Sequence, residues 1–427
     1  MSESKPVGKP FVIDKNLVME AYRRVAANKG APGVDEVSIA VFERDLKGNL
    51  YKIWNRLSSG TYFPPPVRAV EISKAHGSGV RVLGVPTVGD RVAQTVARLV
   101  LEPMVEPVFH PDSYGYRPGR SALDALAVCR QRCFAYDWVL DLDIRAFFDS
   151  VPHDRVLAAV DHHLKGHPGL RWISVYVGRW LTAPIQKLDG VLVSRDRGTP
   201  QGSAISPLLA NLFMHYVFDR WMAEQYSTLG FERYCDDVVV HCRSHAQAVE
   251  VRDAIAVRLA EFGLQLHPDK TRIVYCQDDN RRGRHEVTSF VFLGYEFRPR
   301  RAAGKNGNRF TGFLPAISTA AIKKIGDKIR SWRLKMHTGS TLLDLARLIN
   351  PVVAGWINYY GRFYRSRLIR LLTRLNEHLL RWAGHKYKGL SYPKARRRLA
   401  EVAHERPRLF AHWQAGAYPA GWAAGAV

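Results

Sequence analysis

Cysteine is scarce in this chain of 427 residues, and its scarcity argues against two classes of protein. Five cysteines, an odd number, do not suit a secreted protein held together by disulfides, so we expect reduced thiols in a cytosol-like compartment. Cys129 and Cys133 lie four residues apart without the second Cys/His pair that a structural zinc site needs.

Long apolar segments are also lacking. The first residues do not contain the apolar core of a signal peptide. The longest uncharged run follows Arg408, but His412, Gln414, Pro419 and three glycines disqualify it as a membrane span. We therefore expect a soluble protein without a membrane partner.

Acidic residues are in the minority, and the imbalance is uneven along the chain. The 63 Lys and Arg against 39 Asp and Glu give a formal charge of +24. Residues 298–427 hold 26 basic and 5 acidic residues, or +21, which leaves +3 for the rest of the chain. Such a concentration of charge favours a polyanionic partner such as nucleic acid. A basic, merely solvated surface is the alternative.

The stretch from Phe231 to His241 sets two adjacent carboxylates, Asp236 and Asp237, between an aromatic-containing run and a β-branched run. This pattern is typical of a β-hairpin with the two aspartates at or beside the turn. Two like charges there need a cation, and hard oxygen ligands suit Mg²⁺. A further carboxylate on a neighbouring strand, for which Asp143 is the candidate, would complete a two-metal site for phosphoryl transfer. A solvated turn is the alternative, because turns favour Asp.

Two other stretches carry candidate ligands. Residues 138–144 alternate as a strand, which puts Asp141 and Asp143 on one face. A glycine-flanked loop over residues 197–203 precedes a helix for which Ser206 is the predicted N-cap. Glycine next to a helix N-terminus suits close approach to a phosphate or a base pair.

The order of predicted elements indicates the fold class. Strands separated by helices through residues 67–297 indicate an α+β domain with a mostly antiparallel sheet. Beyond about residue 315 the pattern becomes helical and basic. The predicted helices lie near 318–336, 341–349 and 364–383, with a break at Asn350-Pro351. Aromatic residues mixed with arginines there suit stacking on bases and contact with phosphates, or else an aromatic helical core with solvated arginines.

Seven motifs, taken together, carry a family resemblance. In chain order they are Arg81-Val-Leu-Gly-Val-Pro-Thr, Tyr114-Gly-Tyr-Arg-Pro-Gly-Arg-Ser, Asp143-Ile-Arg-Ala-Phe-Phe-Asp149, Gly198-Thr-Pro-Gln-Gly-Ser, Tyr234-Cys-Asp-Asp237, Phe292-Leu-Gly-Tyr295 and Gly355-Trp-Ile-Asn-Tyr-Tyr-Gly361. From about Lys15 to Trp413 the chain resembles the bacterial group II intron reverse transcriptase, also called the intron-encoded maturase, in a form without an endonuclease.

The resemblance implies a right-hand polymerase of α+β class, in which fingers and palm with an antiparallel sheet are followed by an α-helical thumb and a small basic C-terminal segment. The implied domains are an N-terminal helical extension over 1–65, fingers and palm over 66–300, a thumb or maturase (X) domain over 310–366 and a basic DNA-binding segment over 367–427. Without an endonuclease, a mobile element of this kind would prime from another DNA end, for example at a replication fork.

The resemblance also assigns roles to residues. Asp143, Asp236 and Asp237 are the implied catalytic residues, and Ile144 adds a carbonyl to the ligands of two Mg²⁺ ions, for which Mn²⁺ is a possible substitute. Asp141 falls outside the matched position. The implied nucleotide-binding residues are Lys74, Arg81, Arg117, Phe148, Gln201 and Lys270. The implied primer grip is Leu293, Gly294 and Tyr295. The implied RNA- and DNA-binding residues are Tyr359, Tyr360, Arg362, Arg365, Arg396, Arg397 and Arg398.

Positions 148 and 235 lie within these motifs and bear on substrate choice and on the shape of the turn. Phe148 falls where the family places an aromatic ring that crowds the ribose 2′ position, so it would favour dNTPs; plain core is the alternative for one residue of the pair Phe147 and Phe148. Cys235 stands where alanine is commoner in the family, and a small thiol fits there.

The implied function is that of an RNA-directed DNA polymerase in the bacterial cytoplasm that binds group II intron RNA, assists its splicing and copies it into DNA. Its partners would be that RNA, an RNA template with a DNA primer, dNTPs and target DNA. One alternative is a splicing-only maturase, against which the complete set of three carboxylates argues. The other is a domesticated reverse transcriptase in DNA repair or in phage or CRISPR-linked defence, which would keep the same residues and stays open.

Overall fold

The computed structural model describes residues 9–73, 80–304 and 306–421 of the chain. The chain divides into two compact units, and each is discontinuous in sequence. The first unit comprises Met1–Ala125 and Leu140–Ile273, and the second comprises Leu126–Val139 and Val274–Val427. None of these limits coincides with a domain boundary expected from the sequence.

Helices account for most of the regular structure in the described ranges. In chain order they are α1 (Lys15–Ala27), α2 (Ile39–Glu43), α3 (Leu46–Ser58), α4 (Val88–Val105), α5 (Ala122–Ala135), α6 (Phe147–Ser150), α7 (His153–Leu164), α8 (Arg171–Thr182), α9 (Ser206–Met214), α10 (Arg220–Gln225), α11 (His245–Glu261), α12 (Thr319–Ser331), α13 (Leu342–Tyr360), α14 (Arg365–Leu372), α15 (Arg374–Lys386), α16 (Tyr392–Glu405) and α17 (Ala411–Gln414). A π-helical segment, His215–Asp219, joins α9 to α10.

The strands form three sheets within the described residues. They are β1 (Val67–Ser73), β2 (Val80–Val85), β3 (Trp138–Leu142), β4 (Ile185–Gln186), β5 (Leu192–Val193), β6 (Phe231–Tyr234), β7 (Asp237–Cys242), β8 (Arg272–Tyr275), β9 (Phe290–Phe292), β10 (Tyr295–Ala303) and β11 (Arg309–Ile317). The sheet orders are β2-β1-β4-β5, β6-β7-β3-β8 and β11-β10-β9. The hairpin pairs β1–β2, β6–β7 and β10–β11 are antiparallel, and β1–β4 is parallel. The prediction of an α+β fold with a mostly antiparallel arrangement is confirmed.

The helices of the first unit show how apolar spacing produces the fold. The buried residues of α1 are Val18, Ala21, Tyr22 and Val25, which is the three-to-four spacing expected of one buried helix face. Helix α9 is buried along almost its whole length and contacts α4 and α7. The loop that precedes α9 is therefore held on a rigid support.

Helix α9 begins differently from the prediction. Its first residue is Ser206, whereas we expected Ser206 to be the cap outside the helix. The N-cap is Ile205, without a side-chain hydrogen bond, and Pro207 follows in the first turn. The Ser206 hydroxyl oxygen instead lies 2.5 Å from the Thr199 hydroxyl oxygen, so it fixes the preceding loop rather than the helix end.

The predicted break at Asn350-Pro351 is wrong, because α13 runs through Pro351 without interruption. Proline lacks the N–H that would bond one turn back, but buried packing along a helix outweighs one missing bond. Asn350 adds a tertiary anchor there. Its amide nitrogen donates to the Leu409 carbonyl at 2.9 Å, and its amide oxygen accepts from the Ala411 N–H at 2.9 Å.

One hydrophobic core spans the helices of the second unit. The large buried side chains that α13 contributes, Leu345 and Ile349, belong to the same cluster as Leu372, Leu379 and Trp413. Burial of each such side chain stabilises a fold by about 1.5–3 kcal/mol. Residues on both sides of position 366 therefore share one core, and the segments 310–366 and 367–427 are parts of one folded body.

Two composition-based expectations can be compared with the structure. All five cysteines are buried and none takes part in a disulfide, as expected for reduced thiols. Among the described residues, no helix combines the length and the apolar character that crossing a membrane requires.

Candidate functional site

A β-hairpin presents the adjacent aspartates in the first unit. Tyr234, the last residue of β6, pairs with Asp237, the first residue of β7, so Cys235 and Asp236 form a two-residue turn. This is the predicted hairpin. Strand β7 neighbours β3 in the sheet, and β3 ends one residue before Asp143. The sheet thus places the expected third carboxylate on the strand beside the turn.

The carboxylates of this region influence one another electrostatically. Burial is the main cause that raises the pKa of Asp141 from 3.8 to about 7. The next cause is the negative charge of Asp237, and Asp143 adds to it, whereas the positive charge of Arg272 lowers the same pKa. The energy between two charges falls as their separation grows, so the charges that shift this pKa belong to residues near Asp141. Asp141, Asp143 and Asp237 therefore form one acidic cluster.

The backbone around Asp143 is held in place from the opposite side. The Asp143 carbonyl accepts a hydrogen bond from the His267 N–H at 2.8 Å, and the Arg145 N–H donates to the Gln265 carbonyl at 2.8 Å. Between them Ile144, which is buried, forms a β-bridge with Leu266. The Asp143 side chain is itself 37% exposed, so its carboxylate is accessible.

Lys270 lies close to this carboxylate. Its Nζ is 3.3 Å from Asp143 Oδ2, and the Lys270 side chain is 58% exposed. Sequence separation between the two residues is 127 positions, so only the fold brings them together. A half-exposed ammonium beside an acidic cluster is free to turn towards a bound phosphate.

The acidic cluster fits divalent metal ions. Its donors are carboxylate oxygens, which hard cations such as Mg²⁺ prefer. Burial is the largest cause of the raised pKa of Asp141, and the charges of Asp237 and Asp143 raise it further, so a cation bound beside them would favour the ionised form of all three. Asp236, between Cys235 and Asp237 on the turn, is half-buried and Asp237 is exposed, so solvent reaches both residues.

A cavity of about 230 Å³ brings two of the predicted nucleotide-binding residues together in the first unit. Its lining residues are Leu83, Tyr116, Phe148, Pro200, Gln201, Gly202, Ser206 and Pro207. Phe147 faces elsewhere, with its ring 6.5 Å from that of Phe213 in the core. Of the two adjacent phenylalanines, Phe147 is core and Phe148 is the cavity wall.

The loop that carries Gln201 is fixed by backbone hydrogen bonds. The Thr199 N–H donates to the Phe148 carbonyl at 2.7 Å, and the Gly84 N–H donates to the Gln201 carbonyl at 2.8 Å. Gly202 has a φ of +116°, and a Cβ there would lie 2.7 Å from the Gly84 carbonyl oxygen. Only glycine meets both conditions, because L side chains avoid this backbone region.

Three other cationic residues were predicted to bind the triphosphate, and in the described part of the chain none of them is seen beside the acidic cluster as Lys270 is. Lys74 lies outside the described residues, as does the side chain of Arg81. Arg117 requires a correction, because its side chain is only 6% exposed. Its guanidinium donates to Glu106 Oε1 at 2.8 and 3.0 Å and to the His110 and Ser113 carbonyls at 2.7 Å each. Four of the five N–H donors of Arg117 are used in these bonds, so its side chain holds its own loop together.

The predicted primer-grip residues form a strained turn in the second unit. Leu293 and Gly294, between β9 and β10, have φ values of +48° and +79°. The Tyr359 hydroxyl donates to the Leu293 carbonyl at 2.7 Å, and the Tyr295 hydroxyl donates in return to the Tyr359 carbonyl. A Cβ at position 294 would lie 3.1 Å from the Tyr360 hydroxyl oxygen. The turn is thus clasped by the last residues of α13.

The family model for Reverse transcriptase (RNA-dependent DNA polymerase) matches residues 72–297, which is more than half of the chain. The chain belongs to this reverse transcriptase family. A second model, Group II intron, maturase-specific domain, matches residues 322–400 of the reverse transcriptase. The resemblance inferred from the seven motifs is confirmed.

Two relatives of the reverse transcriptase, one from Escherichia coli and one from Lactococcus lactis, agree with this assignment. It is 29% identical to Protein YkfC of Escherichia coli (strain K12) over 68% of this chain and 83% of that protein. It is 24% identical to the Group II intron-encoded protein LtrA of Lactococcus lactis subsp. cremoris over 89% of this chain and 74% of that protein. A solved telomerase from Candida albicans, in complex with a fragment of telomeric RNA, has a TM-score of 0.45 and 12% identity, covering 88% of this chain and 68% of that one. The chain is an RNA-directed DNA polymerase with a group II intron maturase domain.

Six of the seven residues predicted to bind nucleic acid fall into two groups. The first group makes hydrogen bonds within the protein. The Tyr359 hydroxyl donates to the Leu293 carbonyl, and Arg365 donates to the Ala415 carbonyl at 3.0 Å. Arg396 similarly donates to the Ala420 carbonyl at 3.1 Å. These three side chains have structural contacts that the sequence did not reveal.

The second group faces outward. Arg362 is exposed and lines a cavity of about 170 Å³ with Arg130 and Phe363. The side chains of Arg397 and Arg398 are 86% and 75% exposed and share Glu401 as an ionic neighbour. Exposed pairs of this kind contribute little to stability, so these arginines can exchange Glu401 for a phosphate. Tyr360, half-buried beside the clasped turn, belongs to neither group.

Sequence reasoning missed several residues that the reverse transcriptase places at its site. Tyr116 lies within a quoted motif but had no role assigned, and it lines the cavity opposite Phe148. Arg272 had no assignment, although its charge acts on Asp141. Gln94 lies on α4 and reaches the loop after Gln201 through its side chain. No sequence signal marks Gln94, because its two partners in this loop are 109 and 110 residues away.

We expect replacement of Gln94 by alanine to raise the KM for dNTPs about tenfold with a smaller change in kcat. The Gln94 amide oxygen accepts from Ser203 Oγ at 2.6 Å and the Ala204 N–H at 2.8 Å, and its nitrogen donates to Asp90 at 2.9 Å. Leaving such buried groups unpaired costs about 1–3 kcal/mol, which loosens the loop that carries Gln201. Steady-state primer extension measures the effect.

The matched control is Gln247→Ala. Gln247 also accepts a backbone hydrogen bond, from the Arg243 N–H at 2.8 Å, but it lies at the start of α11. Its loss should leave the KM for dNTPs unchanged. An unaltered KM in the Gln94 variant would show that the loop keeps its shape without this amide.

Proposed function

We propose that this reverse transcriptase joins dNTPs to a DNA primer on an RNA template by two-metal nucleotidyl transfer. Asp143, Asp236 and Asp237, with the carbonyl of Ile144, are the proposed ligands of two Mg²⁺ ions. The observation that carries the proposal is the sheet order, in which the hairpin strand that begins at Asp237 lies beside the strand that contains Asp141 and leads into Asp143. When bound, the two ions activate the primer 3′-hydroxyl and neutralise the charge that develops on the leaving pyrophosphate.

The residues of the chain have separate tasks in this proposal. The Asp143 and Asp236 carboxylates would hold the two metal ions, and Asp237 would support them. Lys270, whose Nζ lies 3.3 Å from Asp143 Oδ2, turns to the triphosphate when it binds. Gln201 and Phe148 contact the nucleotide in the cavity that they line. The Phe148 ring crowds the 2′ position of the sugar, which favours dNTPs over NTPs.

The second unit supplies the proposed nucleic-acid contacts. Leu293, Gly294 and Tyr295 form the primer grip, whose backbone is held by the Tyr359 hydroxyl. The exposed arginines Arg362, Arg397 and Arg398 bind phosphates of the intron RNA or of target DNA. In this proposal the fingers and palm lie within 66–300, the thumb within 310–366 and the DNA-binding segment within 367–427, and the setting is the bacterial cytoplasm.

Primer extension with different metals tests the proposal. With an RNA template and a DNA primer, we expect full-length cDNA in Mg²⁺, a reduced but clear yield in Mn²⁺, and none after removal of divalent ions with EDTA. Ca²⁺ should not replace Mg²⁺, because it prefers longer ligand distances and a looser geometry. If cDNA synthesis continued in EDTA and no added divalent ion increased it, the site would not be metal-dependent.

A domesticated reverse transcriptase in DNA repair or defence is the second candidate, because its catalytic residues would be the same. The DNA that flanks the reading frame separates the two. A flanking sequence that folds as a group II intron, and that splices faster in vitro when the protein is added, supports the maturase proposal. Absence of such an intron, with primer extension intact, favours the domesticated enzyme.

A further inference from the structure

Arg233 is a fully enclosed charged residue that directly precedes the candidate active-site motif Tyr234-Cys-Asp-Asp237. Its side chain and that of its ionic partner Asp219 are both 0% exposed. Arginine has five N–H donors. The guanidinium bonds are Nε to Asp219 Oδ1 at 2.6 Å, Nη2 to Asp219 Oδ2 at 2.5 Å, Nη2 to Ser113 Oγ at 2.8 Å, Nη1 to Asn211 Oδ1 at 3.0 Å and Nη1 to the Cys235 carbonyl at 3.1 Å. Every donor is therefore used.

One end of this network holds the metal-binding turn. Cys235, the first residue of the turn, has a φ of +63°, a backbone region that non-glycine residues adopt at a cost. Such a conformation persists only where the surroundings enforce it. The bond from Arg233 to the Cys235 carbonyl is a direct restraint on that residue, and Asp236 follows it in the turn.

The other end holds the loop that forms one wall of the nucleotide cavity. Ser113 accepts from Arg233, and the Asn211 amide nitrogen donates to the Gly115 carbonyl at 2.6 Å. Gly115 lies so close to the turn that a Cβ on it would be 2.6 Å from the Cys235 nitrogen. The next residue, Tyr116, lines the cavity, and its ring centre lies 6.0 Å from that of Tyr234.

We propose that Arg233 is a positioning residue that couples the metal-binding turn to the nucleotide cavity. A single buried side chain fixes the Cys235 carbonyl on one side and the loop of Tyr116 on the other, so the two cannot shift independently. The inference rests on the proposed function, because it takes Asp236 and Asp237 as metal ligands. It assigns to Arg233 a geometric task in addition to the stability that a buried ion pair confers.

Arg233→Lys is the variant that separates geometry from charge. Lysine keeps the positive charge beside Asp219, but a compact ammonium cannot reach Ser113, Asn211 and Cys235 at once. Asn211→Ala is the second variant, and it leaves the ion pair with Asp219 intact while removing one acceptor of Arg233 and the bond to Gly115.

The matched control is Arg281→Lys in the second unit. Arg281 is 10% exposed, pairs with Asp278 and donates to the Cys133 and Tyr136 carbonyls at 2.9 and 2.7 Å. Like Arg233, it is a buried arginine that pairs with an aspartate and donates to backbone carbonyls, but it has no part in the proposed site. Loss of stability alone should be similar in both lysine variants.

Three measurements on the full chain test the inference, each made well below the unfolding temperature of the variant. They are the Kd for Mn²⁺ by electron paramagnetic resonance without substrate, the Mg²⁺ concentration that gives half-maximal primer extension, and the KM for dNTPs. Mutation of residues that orient metal ligands typically costs 10–100-fold, so we expect about a tenfold rise in all three values for Arg233→Lys. Asn211→Ala should shift them in the same direction by about threefold, and Arg281→Lys should leave them unchanged.

The outcomes distinguish the inference from the proposed function. If Arg233→Lys and Asn211→Ala lower only the unfolding temperature, with the Kd for Mn²⁺ and the KM for dNTPs unchanged, Arg233 is structural and the inference is wrong. If Arg233→Lys does not fold, Asn211→Ala alone decides. If Asp236→Asn retains parental Mn²⁺ binding and activity, the proposed function itself fails, whatever the Arg233 variants do.

Discussion

Asp236→Asn will lower the rate of DNA synthesis on the order of a thousandfold or more, a scale typical for loss of one member of a catalytic unit. The amide keeps the size of the side chain but removes the negative charge that the metal ions require. Asp236 is half-buried on a two-residue turn, so no neighbouring acid can take its position without a change in the hairpin. Single-turnover primer extension on an RNA template measures the loss.

Binding of RNA to the same variant should stay within about twofold of the parent, because the proposed phosphate contacts lie in the basic second unit. A filter-binding titration at fixed salt concentration checks this. The matched control is Asp253→Asn on α11, where the carboxylate forms an exposed pair with Arg252; its rate should not change. Parental cDNA synthesis by Asp236→Asn would remove Asp236 from the metal site.

Phe148→Val should weaken discrimination against ribonucleotides by about 10–100-fold. A hydrophobic wall typically distinguishes substrates that differ by one small group by about 1–3 kcal/mol, and here the group is the 2′-hydroxyl. The Phe148 ring lines the 230 Å³ cavity together with Gln201. The ratio of kcat/KM for a dNTP and the corresponding NTP, measured in the same primer-extension assay, gives the effect directly.

The adjacent residue provides the control for this experiment. Phe147 is buried, and its ring packs near Phe213 in the core of the first unit. Phe147→Leu should lower the unfolding temperature by leaving a void, while dNTP selectivity stays unchanged. Equal selectivity of the Phe148 variant and the parent would assign Phe148 to packing as well.

The parts of the structure that depend on neighbours in sequence were predictable. The hairpin from Phe231 to Cys242 follows from local alternation and a two-residue turn, and α1 follows from apolar spacing alone. The order of the seven motifs along the chain was enough to identify the family, and no interatomic distance was needed. The strand that ends at Leu142 was expected to bring Asp143 to the hairpin, and the sheet order agrees.

The parts that depend on distant partners were not predictable. In the sequence, Arg117 looks like a surface arginine of a loop. In the structure, its guanidinium is enclosed by Glu106 and two carbonyls. Arg233 bonds to Ser113, 120 positions away, and nothing between them in the sequence indicates the contact. Pro351 inside α13 shows the same limit, because a local rule predicts a break where tertiary packing keeps the helix whole.

The second unit has one hydrophobic core, so its segments before and after position 366 depend on each other for stability. Because Trp413 and Leu345 are buried in the same cluster, cutting the chain at the expected boundary near 366 would divide one hydrophobic core rather than release an independent domain. The proposed contacts to intron RNA and to DNA are therefore best separated by reversing surface charge, at Arg397 or Arg362 for example, and not by truncation.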